Sequence, residues 1–414
     1  MELTKSFFYL QVFTLVTMVS FSANAGDMPL SATVLEFAGD NTLLVADSDG
    51  GQIIAYRLPD VKPAKASVSY NLTAFDKQLS KFIEVDREAI TFQDMVIHPV
   101  SKKAYISLMI NDDGKRIPAI VSVDPAGNLS RVELSGLEDS RIKLKDTAKD
   151  KVTFWRDIPA SSLKITDLDY TNGYIYVSGL STGEFASTLR KIPFPFKDGK
   201  EGISHIAIYH TVHDQIETRA PIRAMTVMNI DGEQTVVAAY TCTPLVTIPE
   251  SSLTDGSHVT GKTIAELGYA NLPLDIVQFV AMNEHQKQEE FILVVNKERS
   301  ADLIRLEDIK KAMKEEGLSK PIMWNKAGLK TRPIPLAGVL HIADQDQQFL
   351  TGLRRDIFTG GVELVSFRKG VYFRLSDFIS EYNFPDYKYP KDQKMIKGIQ
   401  NMLKTDAGYK DLVR

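Results

Sequence analysis

The sequence predicts an all-β fold, a single β-propeller of four-stranded blades. Three observations predict it: a recurring apolar hairpin, a recurring phrase that ends the next strand, and a spacing of one blade between copies. The hairpins are FQDMVIHPVSKKAYISLM from Phe92, ITDLDYTNGYIYVSGL from Ile165, IRAMTVMNIDGEQTVVAAY from Ile222 and PLDIVQFVAMNEHQKQEEFILVVN from Pro273. Each is a short apolar strand, a polar or Gly-bearing turn and a second strand rich in Val, Ile and Tyr.

The third strands end on AYRLPD at Ala55, IVSVDP at Ile120, LRKIPF at Leu189, LVTIPE at Leu245, LIRLED at Leu303 and YFRLSD at Tyr372. Their last apolar residues are Leu58, Val123, Ile192, Ile248, Leu306 and Leu375, so subtraction gives intervals of 65, 69, 56, 58 and 69 residues. Fourth strands fit between copies, as ASVSYNL at Ala66, NLSRVEL at Asn128, HIAIYHT at His205 and KTIAELG at Lys262. Six copies are visible, and a seventh stays open because residues 333–379 parse poorly. Strands apolar on both faces suit blades stacked radially, each face covered by a neighbour. Two β-sandwiches are the alternative, but they would not be expected to repeat one strand-ending phrase six times.

Two helical pieces interrupt the pattern. LEDIKKAMKEEG places Leu306, Ile309 and Met313 on one face and ends on Gly317. The tail from Lys391 places Met395, Ile399 and Met402 on one stripe, as expected of a helix packed on the propeller's own surface. The expected division is a leader over 1–25, the propeller over 26–380 and a helical tail over 381–414. In the leader, Lys5 precedes an apolar run and Ala23-Asn24-Ala25 supplies a small-x-small cleavage pattern, which predicts export to the periplasm or the exterior. A membrane anchor is the rival reading; Gln11 and the hydroxyl residues of the run weigh against it.

Composition narrows the function classes. The chain has 414 residues, 43% hydrophobic and 25% charged, with a formal net charge of −4, so no global field recruits nucleic acid. Cys242 is the lone cysteine, which excludes an intrachain disulfide, c-type haem attachment and any Cys-based metal cage. A buried, unreactive Cys242 is expected, and His205, His210 and His213 read as surface residues.

The repeat style, over nearly the whole mature chain, resembles the broad superfamily of six-bladed propellers that includes lactonases of the senescence-marker type and NHL or YVTN-like proteins. The lactonases' glutamate-led opening motif is not recognisable around Glu36, so no metal ligands carry over from them.

In a propeller, loops entering the innermost strands and loops joining second to third strands open on one face. Asp94, Asp167, Asp169 and Asp275 are thereby expected at the channel mouth. Asp47, Asp49, residues 111–113 with Asn111 leading, Ser181, Thr182, Cys242 and residues 296–299 starting at Asn296 join them from the second set of loops. Converging carboxylates repel one another unless a cation or protons intervene, and hard oxygen ligands suit Ca²⁺. Asp94, Asp167 and Asp275 are the candidate metal ligands, with Asp167 and Asp275 the candidate proton carriers. The structural alternative is that each Asp caps backbone N–H groups nearby, and turn formation explains DSDGG at Asp47 and NDDGK at Asn111 equally well. The leading expectation is a monomeric, exported binding or accessory module that takes a small molecule or protein at the mouth face. The rival is a Ca²⁺-dependent hydrolase of the lactonase kind. A quinone-dependent dehydrogenase rests on architecture alone.

Overall fold

The computed structural model describes residues 28–372 apart from short gaps at 150, 154–158, 198–199, 270, 284, 298 and 357–358, together with Arg374 and three tail positions. The expected leader and nearly all of the expected C-terminal helix lie outside the described residues. Among the described residues, no helix is long and apolar enough to cross a membrane.

The chain begins with β1 (Val34–Phe37), β2 (Thr42–Asp47) and β3 (Gln52–Arg57), an antiparallel meander. All six residues of β2 are buried, as a strand covered on both faces requires. Then come β4 (Asn71–Leu72) and helix α1 (Phe75–Ile83), whose Phe75, Leu79 and Ile83 are buried at one-turn spacing. A second meander runs through β5 (Ile90–Ile97), β6 (Ala104–Asp112), β7 (Lys115–Val123) and β8 (Leu129–Arg131). Strand β9 (Glu138–Lys143) follows and returns to pair with β3.

The third meander is β10 (Asp167–Thr171), β11 (Tyr174–Leu180), β12 (Ser187–Pro193) and β13 (Gly202–His210), with β14 (Gln215–Glu217) folded back on β13. The fourth is β15 (Ile222–Ile230), β16 (Glu233–Tyr240), β17 (Pro244–Pro249) and β18 (His258–Glu266). Strands β19 (Pro273–Met282), β20 (Gln288–Asn296) and β21 (Ala301–Arg305) precede α2 (Leu306–Lys314). Short β22 (Ala327–Gly328) and β23 (Arg332–Ile334) follow, then β24 (Val339–Asp344), β25 (Phe349–Arg355) and β26 (Val362–Arg368).

These strands make four separate four-stranded blades, β1-β2-β3-β9, β5-β6-β7-β8, β19-β20-β21-β23 and β24-β25-β26-β4, and one ten-stranded sheet. Six separate blades are therefore not what forms. The third and fourth meanders fuse because β13 and β18, both nine residues long, pair in parallel over His205–Ile208 and His258–Gly261. That pairing hides two edges that would otherwise be exposed.

The six inner strands close a ring in the order β5, β1, β10, β15, β19, β24 and back to β5. The order departs from the chain: the first meander lies between the second and the third. It follows from two exchanges of outer strands. Strand β4 leaves the first meander to complete the last blade on β26, and β9 comes back from the second meander to complete the first. The expected fourth strand at Ala66 is thus only Asn71–Leu72, and it serves a different blade.

Each junction of the ring is filled by one apolar cluster. Leu43 and Ile54 meet Tyr105 and Ile120; Ala46 and Ile53 meet Leu168 and Val177; Tyr176 and Leu189 meet Val236 and Tyr240. Further round, Met228 and Val237 meet Ile292, Leu293 meets Leu350 and Phe367, and Leu353 and Leu364 meet Ile106 and Leu108. At about 1.5–3 kcal/mol for each large side chain fully buried, these interfaces hold the blades in place without a disulfide. Helix α2 buries Leu306, Ile309 and Ala312 and stops at Lys314, three residues before the expected Gly317.

Candidate functional site: an acidic central channel

Inner strands pair with a neighbour in their own sheet on one edge only. The other edge faces the next blade and leaves backbone N–H groups that need acceptors. Three aspartates at one register supply them. Asp94 on β5 accepts the N–H of Met95 at 2.7 Å with one oxygen and that of Leu35 on β1 at 2.7 Å with the other. Asp167 on β10 accepts from Leu168 at 2.8 Å and from Met225 on β15 at 2.6 Å. Asp275 on β19 accepts from Ile276 at 2.7 Å and from Ile342 on β24 at 2.8 Å.

Each carboxylate thus staples its own inner strand to the next one round the ring. Val34, Ala224 and His341 occupy the same register in the intervening strands, so acid and non-acid alternate. Asp169 repeats the geometry two residues deeper, accepting the Val227 N–H at 2.9 Å and the Thr226 hydroxyl at 3.2 Å.

The inner strands line a cavity of about 1160 Å³. Glu36, Asp94, Asp167, Asp169 and Asp275 all face it, with Gln278 and Thr226 beside them. At the other end Lys102, Lys369, Asp344 and Asp346 line the wall, and Lys369 Nζ pairs with Asp344 at 2.7 Å. His341 Nδ1 lies 3.3 Å from Asp94 and 3.8 Å from Asp275. One ligand atom from each of these three residues falls within 4.8 Å of the other two.

Burial raises four of the acids, and neighbouring charges raise three of them further. Burial pushes Glu36 well above the usual carboxylate range, and the charges of Asp169, Asp94 and Asp275 add to it. Asp167 is raised well by burial and then by Asp275, against the opposing Met225 hydrogen bond. Burial lifts Asp275 to about 7 although His341 pulls it down, and burial lifts Asp169 to about 6. Burial disfavours the His341 cation, but the hydrogen bond and charge of Asp94 and the charge of Asp275 outweigh it and raise its pKa. The channel therefore prefers added positive charge, as protons or as a cation.

Of the residues singled out in the sequence, the structure brings Asp94, Asp167, Asp169 and Asp275 together, along the channel wall rather than on the mouth loops. Asn111, Asn296 and Cys242 sit elsewhere. Asn111 is exposed near the β6–β7 turn and does not line the cavity. Asn296 is buried, accepting from Asn271 at 2.9 Å and donating to the Ser300 carbonyl at 2.9 Å and to Asp302 at 3.1 Å, a structural role. Cys242 stands beside His210 in the β16–β17 turn of the ten-stranded sheet, away from the cavity, and is only partly buried. His210, expected at the surface, is buried.

Asp47 is fully buried and accepts from the Leu30, Ser31 and Gly50 N–H groups at 3.1, 2.9 and 2.8 Å, the Ser31 hydroxyl at 2.9 Å and Gln52 at 2.8 Å. A Cβ at Gly50 would meet Asp47 Oδ2 at 2.2 Å, so DSDGG is a turn built round its own aspartate.

The sequence reading did not place His341 or Glu36 in the channel. VLHIAD carries a histidine where the repeat has its aspartate, and TVLEF displaces its acid by two positions, level with Asp169. Aligning ATVLEF and VLHIAD on the hairpin register was the signal that could have found them.

No family model matches the chain, and no curated protein sequence matches it. Among solved structures, the extracellular domains 1–2 of Drosophila semaphorin 1b resemble it at 9% identity and a TM-score of 0.34, over 88% of this chain and 93% of that one. Kuenenia stuttgartiensis hydrazine synthase resembles it at 10% identity and a TM-score of 0.32, over 84% and 99%. Apo AztD from Citrobacter koseri resembles it at 10% identity and a TM-score of 0.27, over 82% and 90%. Likeness at this level carries no argument about ligand or activity, and the propeller-like fold of this chain rests on its own strands.

Proposed function

We propose that the protein is an exported binding module, a propeller whose central channel takes up a cation or a ligand carrying a cationic group. One observation carries the reading: five carboxylates, from Glu36, Asp94, Asp167, Asp169 and Asp275, converge in one cavity, and burial holds Glu36, Asp167, Asp169 and Asp275 above the usual carboxylate range. Counting the ten-stranded sheet as two fused blades gives six, supported by six inner strands and six apolar junctions. Along the channel, the tightest cradle among the described residues is Asp94, Asp275 and His341, whose ligand atoms lie within 4.8 Å of one another. An imidazole beside two carboxylates moves the donor set from Ca²⁺ toward borderline ions such as Zn²⁺ or Mn²⁺.

A lactonase-like hydrolase is the second reading. Asp275, poised at about 7, has the proton affinity that a general acid or base needs near neutral pH.

The test is thermal unfolding of metal-stripped protein with Ca²⁺, Zn²⁺, Mn²⁺ or the organic dication cadaverine added in turn. At least one should raise Tm in wild type, and Asp94→Asn with Asp275→Asn should reduce the shift. No shift with any probe, or an unchanged shift in the double variant, overturns the channel reading. Turnover of a simple lactone by wild type but not by Asp275→Asn would favour the hydrolase.

A further inference from the structure

A second cluster lies outside the channel, where the third and fourth meanders fuse. The β13–β14 hairpin pairs His210 with Gln215 and Ile208 with Glu217, so His210 and Glu217 share one face. The turn between them folds His213 over His210, with ring centroids 4.1 Å apart. His210 Nδ1 is 2.8 Å from Glu217 Oε2, and His213 Nδ1 is 2.5 Å from Glu217 Oε1. Two imidazole nitrogens and a carboxylate converge on one point, all within 4.8 Å of one another.

Two neighbours besides Glu217 hold the His210 ring: the Cys242 thiol, which hydrogen-bonds it, and the Thr243 hydroxyl. Thr243 donates its hydroxyl proton to Glu266 at 2.7 Å, which leaves its oxygen lone pairs facing His210 Nε2 at 3.4 Å. Glu266 is itself buried, and it also accepts the Gly268 N–H at 2.9 Å and the Thr211 hydroxyl. A hydroxyl committed as a donor elsewhere can only accept from Nε2–H. The neutral ring then presents a bare Nδ1 to the cluster. That is the outer partner a metal-bound histidine uses to hold its orientation and tautomer.

We propose that His210, His213 and Glu217 form a binding site for a divalent transition metal of the zinc class, separate from the channel. Two nitrogens and one oxygen make a three-residue set that leaves a fourth coordination position open to water. His210 is buried and held, whereas the His213 side chain is 47% exposed, so an ion reaches the site from solvent. The ligands lie at hydrogen-bonding separation, and the ion replaces the two His–Glu contacts by drawing all three atoms to itself.

The experiment uses the full chain carrying Asp275→Asn, so that a channel ion does not contribute, and titrates Co²⁺ against its visible absorption. One equivalent with the intense bands of tetrahedral cobalt is expected. Adding His213→Gln or Glu217→Gln should weaken binding at least about tenfold, and Thr243→Val should weaken it less, since Cys242 still holds the His210 ring. His213 is exposed enough that its replacement leaves the fold intact, which circular dichroism checks. Absence of bound Co²⁺ in the Asp275→Asn protein overturns the proposal, as does affinity undiminished by His213→Gln. The channel reading stands or falls separately, on whether Asp94→Asn with Asp275→Asn changes the Tm response of wild type.

Discussion

At residue scale, the channel aspartates have two roles in tension. Each satisfies backbone N–H groups on two blades, and each is a charge held in a poor solvent. Removing Asp167 strips acceptors from Leu168 and Met225 at once. Asp167→Ala should therefore cost about 1–3 kcal/mol in urea unfolding, and a variant as stable as wild type would show that the staples carry no weight. The charge side has its own sign. Asp275 and Asp169 have folded-state pKa values of about 7 and about 6, above the roughly 3.9 of an unfolded aspartate. The folded chain then binds more protons than the unfolded one between pH 4 and 7, so stability falls as pH rises through that window. Carboxylates with lowered pKa, such as Glu217 at about 2, give the opposite slope only at more acid pH. Tm in chelator should drop between pH 5 and pH 7.5, and Asp275→Asn should flatten part of the drop. A rising or level profile in wild type would contradict the electrostatics.

At the scale of elements, the two-residue strand β4 closes the last blade because of what adjoins it. Tyr70 is fully buried; its backbone N–H donates to Ser366 Oγ at 2.8 Å and its carbonyl accepts the Ser366 N–H at 2.9 Å. Its hydroxyl accepts the Ala104 N–H at 2.9 Å and lies 2.9 Å from the Lys102 and Val123 carbonyls, so one side chain ties the last blade to the second meander. Tyr70→Phe keeps the ring and its packing but leaves these groups without the hydroxyl. We expect a loss of about 1–3 kcal/mol in chemical denaturation, more than for Phe in place of a surface tyrosine such as Tyr174. Equal losses at the two positions would remove Tyr70 from the closure.

Across the whole molecule, closure depends on strands lent between blades. The first meander is completed by β9, which lies beyond the second meander in the chain, and the last blade is completed by β4. The connection between β3 and β4 runs exposed over 62–68. Trypsin cutting after Lys65 should leave two fragments that elute together at native size, since β9 still holds the N-terminal piece. Separation of the fragments without denaturant would mean that the lent strands do not hold the ring.

The sequence by itself determined the strand type, the hairpin repeat and the register of Asp94, Asp167 and Asp275, because each is a local pattern of side chains along one strand. It misplaced the fourth strand at Ala66, missed α1 and kept apart the third and fourth meanders, which the structure fuses. Edge pairing, strand exchange and ring order depend on which distant edges meet, and a two-residue strand such as β4 has too little pattern to announce its partner. The tertiary structure alone decided that His341 faces Asp94 and Asp275, and that His210, His213 and Glu217 converge beside Thr243. Those meetings arise from closing a ring and turning a hairpin, which bring residues far apart in the chain, or on facing strands, to separations of 2.5–3.8 Å.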